Sequence, residues 1–401
     1  MRRISFRTSG ESHGRGLIAL LEGIPAGLSL EMERDVDPEL RRRQGGHGRG
    51  RRMKIECDRA DLISGVRLGE TLGSPISMVV WNKDWENWRV AMSALPPDPS
   101  GNPKALKPVY LPRPGHADLV GLLKYDRRDA RDILERASAR ETAARVACGA
   151  VAKKLLSEFS IEIGSHVLSI GDVEAARPDE LPSALNEAVE ASPTRTLDSA
   201  AGELMVDAID RAGEEGDTLG GIFEVVTTGL PAGLGSYVSY DTKLDGRLAA
   251  ALMSIPAIKG VEIGSGFEAA KHPGSRVHDA ILPEGAERAG GLGRASNRAG
   301  GLEGGVTTGE PLVVRAAMKP ISTLRKRLAS VDMRDGSVAD AAVERSDVCA
   351  VPAAAIVGEA MVSLVVADAL LEKFGGDSMS ELRRNFDGYV AYLTERGYGE
   401  R

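Results

Sequence analysis

The sequence predicts an α+β fold of two similar halves, with long apolar helices inside and sheets outside. Residues 10–28, "GESHGRGLIALLEGIPAGL", lie over residues 216–234, "GDTLGGIFEVVTTGLPAGL", without a gap, and seven of the nineteen positions are identical. Further echoes follow in the same order: "TLGSPIS" (71–77) with "TTGEPLV" (307–313), "ERAS" (135–138) with "ERSD" (344–347), and "LLSEF" (155–159) with "LLEKF" (370–374). In each half, short apolar runs between Gly turns read as strands, and an Ala-rich stretch too apolar for a surface position reads as a helix. Two such halves, one near 1–160 and one near 200–375, bury best as one body.

Composition bounds the function. With 42% hydrophobic and 27% charged residues, the 401-residue chain reads as globular and soluble. Only 4% of residues are aromatic and 47 are Gly, which predicts small aliphatic cores and many turns. A net charge of −7 argues against a general nucleic-acid binder. Cys57, Cys148 and Cys349 are scattered without ligand spacing, and "MRRISFRTSGESHG" carries no apolar signal. The expectation is a reduced, cytoplasmic protein without a metal site. "VPAAAIVGEAMVSLVVADALLEKFGG" (351–376) is long enough for a membrane span, but it carries Glu359 and Asp368 and ends at Lys373 and a Gly pair. It is read as a helix buried on most faces. The polar remainder after Asp377, above all beyond about 385, is expected to be a peripheral tail.

Taken along the chain, the motifs favour anion and proton chemistry. His13 stands where the echo places Leu219, so the turn needs no imidazole and His13 is extra to the fold. "LRRRQGGHGRGRRMK" (40–54) puts Arg41, Arg42, Arg43, Arg49, Arg51, Arg52 and Lys54 in a Gly-rich loop without an acid. This reads as a clamp for a phosphorylated or carboxylated ligand, mobile until an anion cross-links it. "WNKDWENW" spaces Trp81, Trp85 and Trp88 at i, i+4 and i+7, a packing or subunit-contact stripe. A loop with seven prolines from Pro96 to Pro114 ends at His116, between Arg113 and Asp118. His13 and His116 thus both sit on Gly-adjacent turns, with the side chain best matched to moving protons near neutral pH.

"ERASARETAARVACGAVAKKLL" (135–156) has Ser138 and Glu141 at capping-box spacing, with Arg136 and Arg140 beside a helix start that favours an anion. Nine glycines over 285–309 allow backbone N–H groups to approach a ligand. "GLGRASNRAGG" lacks the third glycine of a dinucleotide crossover, and no Walker loop is present. "AAMKPIST" offers Lys319 and hydroxyls after an apolar run, and "ERSDVCAVP" places Asp347 beside Arg345 just before a helix. A helix N-cap accounts for that aspartate as well as a functional role does.

"GESHGRG", "RPGHAD", "ERASARETAARVA", "NRAGGLEGG", "MKPIST" and "RSDVCAVPAA", in this order from about residue 5 to 385, together resemble the chorismate synthase family. The resemblance implies a β-α-β sandwich with central helices between antiparallel sheets, assembled as a homotetramer. It implies anti 1,4-elimination of phosphate from 5-enolpyruvylshikimate 3-phosphate to give chorismate in the shikimate pathway, requiring reduced FMN without net redox change.

Carried onto this sequence, the resemblance makes His13 the acid near the departing phosphate and His116 the histidine that protonates reduced flavin. Asp347 assists loss of the C6 proton through flavin N5. It assigns FMN contacts to Arg136, Ala137, Ser138, Pro256, Ala257, Gly304, Lys319, Pro320, Ile321, Ser322, Thr323 and Arg345. Arg43 and Arg49 match a pair for a nicotinamide nucleotide phosphate, and with Arg140 they suit the substrate phosphate equally well. Two departures stand out: Pro256 replaces a usual Asn or Gln, and Ala137 a common Ser. No reductase domain is evident, so reduced FMN is expected from an external flavin reductase, with NADPH as a candidate reductant. A binding protein without turnover and a nicotinamide-consuming flavin oxidoreductase are the rival readings.

Overall fold

The computed structural model describes residues 3–50, 57–178, 180–282, 293–344 and 346–396. A four-stranded antiparallel sheet is formed by β1 (Ser5–Ser9), β2 (Gly16–Glu22), β3 (Asp61–Ser64) and β4 (Ile76–Trp81), in the order β1-β2-β4-β3. A five-stranded sheet holds β5 (Glu162–Ile170), β6 (Val173–Glu174), β7 (Gly221–Thr228), β8 (Ile258–Ile263) and β9 (Leu312–Met318), in the order β8-β9-β7-β5-β6. The echoed segments thus supply the adjacent pairs β2–β4 and β7–β9, both antiparallel. The second sheet takes β5 from Glu162, upstream of the boundary near 200 expected from the echo.

The helices are α1 (Asp37–Gln44), α2 (Asp118–Tyr125), α3 (Thr142–Ser157), α4 (Ser199–Glu215), α5 (Leu244–Met253), α6 (Val351–Phe374) and α7 (Met379–Glu395). α3 packs on the four-stranded sheet, α6 on the five-stranded sheet, and the two helices on each other. Period-two alternation drives the first contact: Leu17, Ala19 and Leu21 of β2 and Ile76, Met78 and Val80 of β4 turn inward and are buried. The helix–helix contact is close because α3 presents Gly149 to Ala360 of α6. α6 is 94% buried over its most apolar window, the only helix among the described residues long and apolar enough to cross a membrane. Its polar residues are paired: Glu359 accepts from Arg42, Lys153 and Ser165, and Asp368 from Arg247 and the Ile4 N–H.

Several expectations change. The segment after Asp377 is not peripheral: α7 buries Leu382 and Phe386 in the main core, with Phe386 against Phe159 and Phe374. Arg41, Arg42 and Arg43 belong to the last turn of α1 rather than a loop, because Pro38 starts that helix and Leu40 anchors it in the core. The Trp residues form no helical stripe, since Trp81 ends β4 and Trp85 lies in a 3₁₀ turn, Lys83–Asn87. The Ser138–Glu141 capping box is only half made. Ser138 Oγ accepts from the Arg140 N–H at 3.3 Å, while the Glu141 carboxylate is drawn instead to Thr8 and Arg145.

Candidate active site

His13 lies on the turn between β1 and β2, and three neighbours fix it. Asn82 Nδ2 donates to the carbonyls of Glu11 and Gly14 at 3.1 and 2.8 Å, holding the turn from below. The Ser12 N–H donates to the Glu135 carbonyl at 2.9 Å, and the His13 N–H to Glu135 Oε2 at 2.8 Å. His13 Nδ1 lies 2.9 Å from the same oxygen, and the imidazole stacks on Trp88 with centroids 3.8 Å apart. Burial would raise the Glu135 pKa, but bonds from His13 and Arg131 outweigh it and hold the carboxyl below its usual range. An ionised Glu135 can only accept, so the hydrogen-bond network assigns the proton to Nδ1.

Arg43, at the end of α1, and Arg140, in the turn before α3, are both buried and share one carboxylate, Asp58. Arg43 Nη2 is 2.6 Å from Asp58 Oδ2, and Arg140 Nη1 is 2.6 and 2.7 Å from the two oxygens. Burial first, then the charges of Arg140 and Arg49, push the Arg43 guanidinium down to about 10, against the opposing pull of Asp58. Guanidinium groups gathered this closely are what an anion site requires. Arg140 Nε also donates to Asn82 Oδ1 at 3.0 Å, so the residue that braces the His13 turn braces the arginines too.

Arg49 takes a different partner. Its Nη1 is 2.7 Å from Asp347 Oδ2, while the Gly50 N–H donates to Asp347 Oδ1 at 2.6 Å and the Val348 N–H to the Gly48 carbonyl at 2.8 Å. Gly48 has φ +81°, and a Cβ there would meet Ile209 Cγ2 at 2.7 Å, so glycine is needed for this docking. Asp347 is therefore no helix cap: the N-cap of α6 is Ala350. Gly46–Gly50, α4, Arg325 and Ser346 line an open pocket of about 910 Å³ beside it. The remaining basic residues of the clamp, Arg51, Arg52 and Lys54, lie outside the described residues, as does Arg345.

His116 is held like His13. Its Nδ1 is 2.6 Å from Asp118 Oδ1, and Arg113 donates to Asp118 through both its backbone N–H and Nε, at 3.0 and 2.8 Å. Burial opposes, but bonds from His116 and Arg113 prevail and keep the Asp118 carboxyl well below its usual range. Arg113 Nη1 reaches Thr323 Oγ1 at 2.8 Å, and Lys319 Nζ donates to the Gly115 carbonyl at 3.0 Å. Burial, then the charge of Lys259, lowers the Lys319 pKa. A Cβ on Gly115 would lie 3.4 Å from Ser322, so the His116 turn sits directly on the 319–323 segment.

The other expected residues are more dispersed. Arg136 is committed to the backbone, donating to the carbonyls of Gly10 and Thr8 at 3.2 and 2.8 Å. The Ala137 N–H bonds the Ile133 carbonyl, and Ser138 Oγ donates to Ser12 Oγ at 3.2 Å, one residue from His13. Ala257 follows Pro256 in the left-handed region at φ +70°, and its carbonyl accepts from the Lys319 N–H at 2.9 Å. Pro320 and Ile321 continue that segment, and the Ile321 carbonyl accepts from Thr218 Oγ1 at 2.7 Å. Gly304 lies in a hairpin, Leu302–Thr307, where an added Cβ would come within 3.7 Å of the Tyr237 side chain.

Contacts join these groups. Asp58, Arg140, Asn82, the turn that bears His13 (through the Gly14 carbonyl), Glu135 and Arg131 form a chain of contacts, and Arg131 Nη2 continues it to Glu344 at 3.1 Å, three residues before Asp347. Thr218 and Leu219 tie the 319–323 segment to Val348. Sequence reasoning missed Glu135, Arg131, Asp58, Asn82 and Trp88 as site residues. The one legible signal was the echo itself, for Glu135 and Glu344 are the echoed glutamates of "ERAS" and "ERSD" and Arg131 bridges them.

Comparison with known proteins agrees across the chain. The family described as chorismate synthase matches residues 4–371. A chorismate synthase of Geobacter sulfurreducens is 53% identical over 394 residues, spanning 97% of this chain and 99% of that protein. One of Moorella thermoacetica is 56% identical over 393 residues, spanning 98% and 100%. A crystal structure of chorismate synthase superposes with a TM-score of 0.78 at 46% identity, covering 98% of this chain and 99% of that one.

Proposed function

The chain belongs to the chorismate synthase family, and from that membership we propose that it is a carbon–oxygen lyase of aromatic amino acid biosynthesis. It eliminates phosphate from 5-enolpyruvylshikimate 3-phosphate and forms chorismate. The observation that carries this reading is the clustering of Arg43 and Arg140 on Asp58, with Arg49 close enough to act on Arg43, one asparagine away from the turn that bears an imidazole held by Glu135.

In this reading Arg43, Arg49 and Arg140 bind the phosphate, and their fixed charges offset the negative charge that develops as it leaves. His13, protonated, donates from Nε2 to the departing oxygen, an acid role typically worth on the order of 10²–10⁴ in rate. Asp347 takes up the proton lost from C6, exchanging its bond with Arg49 as that arginine turns to the substrate. His116 holds a second exchangeable proton, fixed in place by Asp118.

Reduced FMN fits the residues present. Lys319, near Lys259 and bonded to the Gly115 carbonyl, offers a cation to an anion such as the flavin phosphate, and Gly115 sets no side chain against Ser322. Lys319 through Thr323, Arg136 to Ser138, Pro256, Ala257, Gly304 and Arg345 would hold it, with Pro256 and Ala137 giving backbone and apolar contacts only. When bound, reduced FMN supplies the electron density that lets an allylic phosphate leave.

The same reading takes the chain as a single domain with the two sheets sandwiching α3 and α6. It takes the enzyme as a cytoplasmic homotetramer fed by an external flavin reductase, with NADPH as the reductant. The test is anaerobic phosphate release from the enolpyruvyl substrate. Release that requires reduced FMN and leaves it reduced is expected. Binding without release, or stoichiometric consumption of NADPH, would replace this reading with a binding protein or an oxidoreductase.

A further inference from the structure

His13 and His116 come from different parts of the chain, yet the same device surrounds each. Nδ1 meets a carboxylate, at 2.9 Å for Glu135 and 2.6 Å for Asp118. Each carboxylate side chain is enclosed, 1% and 0% exposed. Each also accepts from a buried arginine, Arg131 Nη1 at 2.9 Å and Arg113 Nε at 2.8 Å, and from one backbone N–H. A carboxylate needed only to brace a turn would not have to address the imidazole in both places.

We propose that Glu135 is the positioning residue of His13: its carboxylate holds the ring as the Nδ1–H tautomer, so that Nε2 carries the exchanged proton, and Arg131 keeps that carboxylate ionised. The proposal deepens, and rests on, the reading of His13 as proton donor. A ring anchored through Nδ1–H gives up the Nε2 proton and remains in place, because the neutral tautomer left behind is the one already bonded. Among the described residues, the charged groups about this pair are Arg131, Glu344 and Lys107. Arg131 spans Glu135 and Glu344, and Lys107 and Arg131 lie over the face of Trp88, 3.7 and 5.1 Å from its centroid. Trp88 in turn stacks on His13, so the ring is clamped in plane by stacking and in rotation by Glu135.

The proposal predicts a nitrogen-specific signature. In the full-length enzyme labelled with ¹⁵N-histidine, the His13 signals are identified by their loss in His13→Gln. Above its titration, His13 should show a protonated Nδ1 and a bare Nε2. Glu135→Gln can still accept from the His13 N–H and keeps the Glu135 carbonyl for Ser12, so the turn should stand. Without the carboxylate charge the ring should shift toward the Nε2–H form. Turnover kcat should fall about tenfold or more, part of the 10²–10⁴ that a positioned acid contributes, with KM changed little and Glu135→Asp recovering part of the loss. A parent His13 protonated on Nε2 in its neutral form overturns the proposal, and so does a Glu135→Gln enzyme with the parent's tautomer and kcat. The parent spectrum decides even where the variant does not fold. The expected tautomer combined with full activity in His13→Ala would leave Glu135's effect on the ring intact and remove the proton-donor reading instead.

Discussion

Asp58→Asn should unmask the charge imbalance at the anion site. Asp58 is 1% exposed and is the carboxylate shared by two arginines, themselves 4% and 5% exposed. Asparagine keeps the shape and one acceptor but leaves Arg43 and Arg140 facing each other. Removing one partner of a buried ion pair costs about 3–5 kcal/mol. A phosphate ion can stand in for the lost carboxylate. An anion that binds only the folded state adds about 2.7 kcal/mol when present at about 100 times its Kd. Urea unfolding followed by Trp fluorescence, in chloride and in inorganic phosphate at matched ionic strength, measures both effects. Asp58→Asn should lose more than 3 kcal/mol in chloride (about the lower bound above) and regain more in phosphate than the parent gains. A variant within about 1 kcal/mol of the parent, well below that bound and indifferent to phosphate, would refute the electrostatic account of this site.

Other outcomes follow from the same structure. Gly149→Ala gains about 1 kcal/mol of helix propensity, but its Cβ would lie 2.5 and 2.7 Å from the Ala360 Cα and carbonyl oxygen; overpacking at about 1–3 kcal/mol should leave a net loss, and a urea midpoint at or above the parent's would deny the α3–α6 contact. Arg49→Lys keeps the charge and loses the fork, so substrate Kd should rise roughly tenfold or more, since a charged hydrogen bond is worth about 1.5–3 kcal/mol; FMN affinity should change far less, and a substrate Kd within about twofold of the parent, far short of that bond's worth, would remove Arg49 from the site. Asp58, Asp118, Glu135, Glu224 and Glu359 all have depressed folded-state pKa values. Their stabilisation is complete above the unfolded carboxylate pKa of about 4 and is lost as pH falls through the lower folded values. Stability from these groups should therefore hold from pH 7 to about 5 and collapse below about 4, and a thermal-melt series that declines steadily from pH 7 would contradict it.

How far the sequence could be read depended on how local each signal was. The strands announced themselves as short apolar runs between Gly turns, as in β2, and α6 through its long apolar run, because burial writes directly into residue order. The echoed segments fall in the antiparallel pairs β2–β4 and β7–β9, a pairing that the echo alone did not state. Helix α7 was missed because only Leu382 and Phe386 are deeply buried in an otherwise polar segment, a pattern too sparse to stand out. α1 was hidden by the arginines that end it. His13, His116 and Asp347 could be singled out from their turns and from the family resemblance. Their carboxylate and aromatic partners could not, since Glu135 lies 122 residues from His13 and nothing local to "ERAS" states that distance will be closed. Trp88 was misjudged for a related reason: its spacing fitted a helix, but β4 extends through Trp81 and the chain then turns it onto His13.

The most direct test is anaerobic phosphate release by His13→Ala, with substrate and reduced FMN in excess over the parent's requirements. The echoed turn carries Leu219 at the matching position, so the variant should fold, melt with the parent and bind FMN. Its turnover should fall by on the order of 10²–10⁴, the contribution of one positioned histidine acid. A folded, FMN-binding His13→Ala enzyme that releases phosphate at the parent rate would contradict the account.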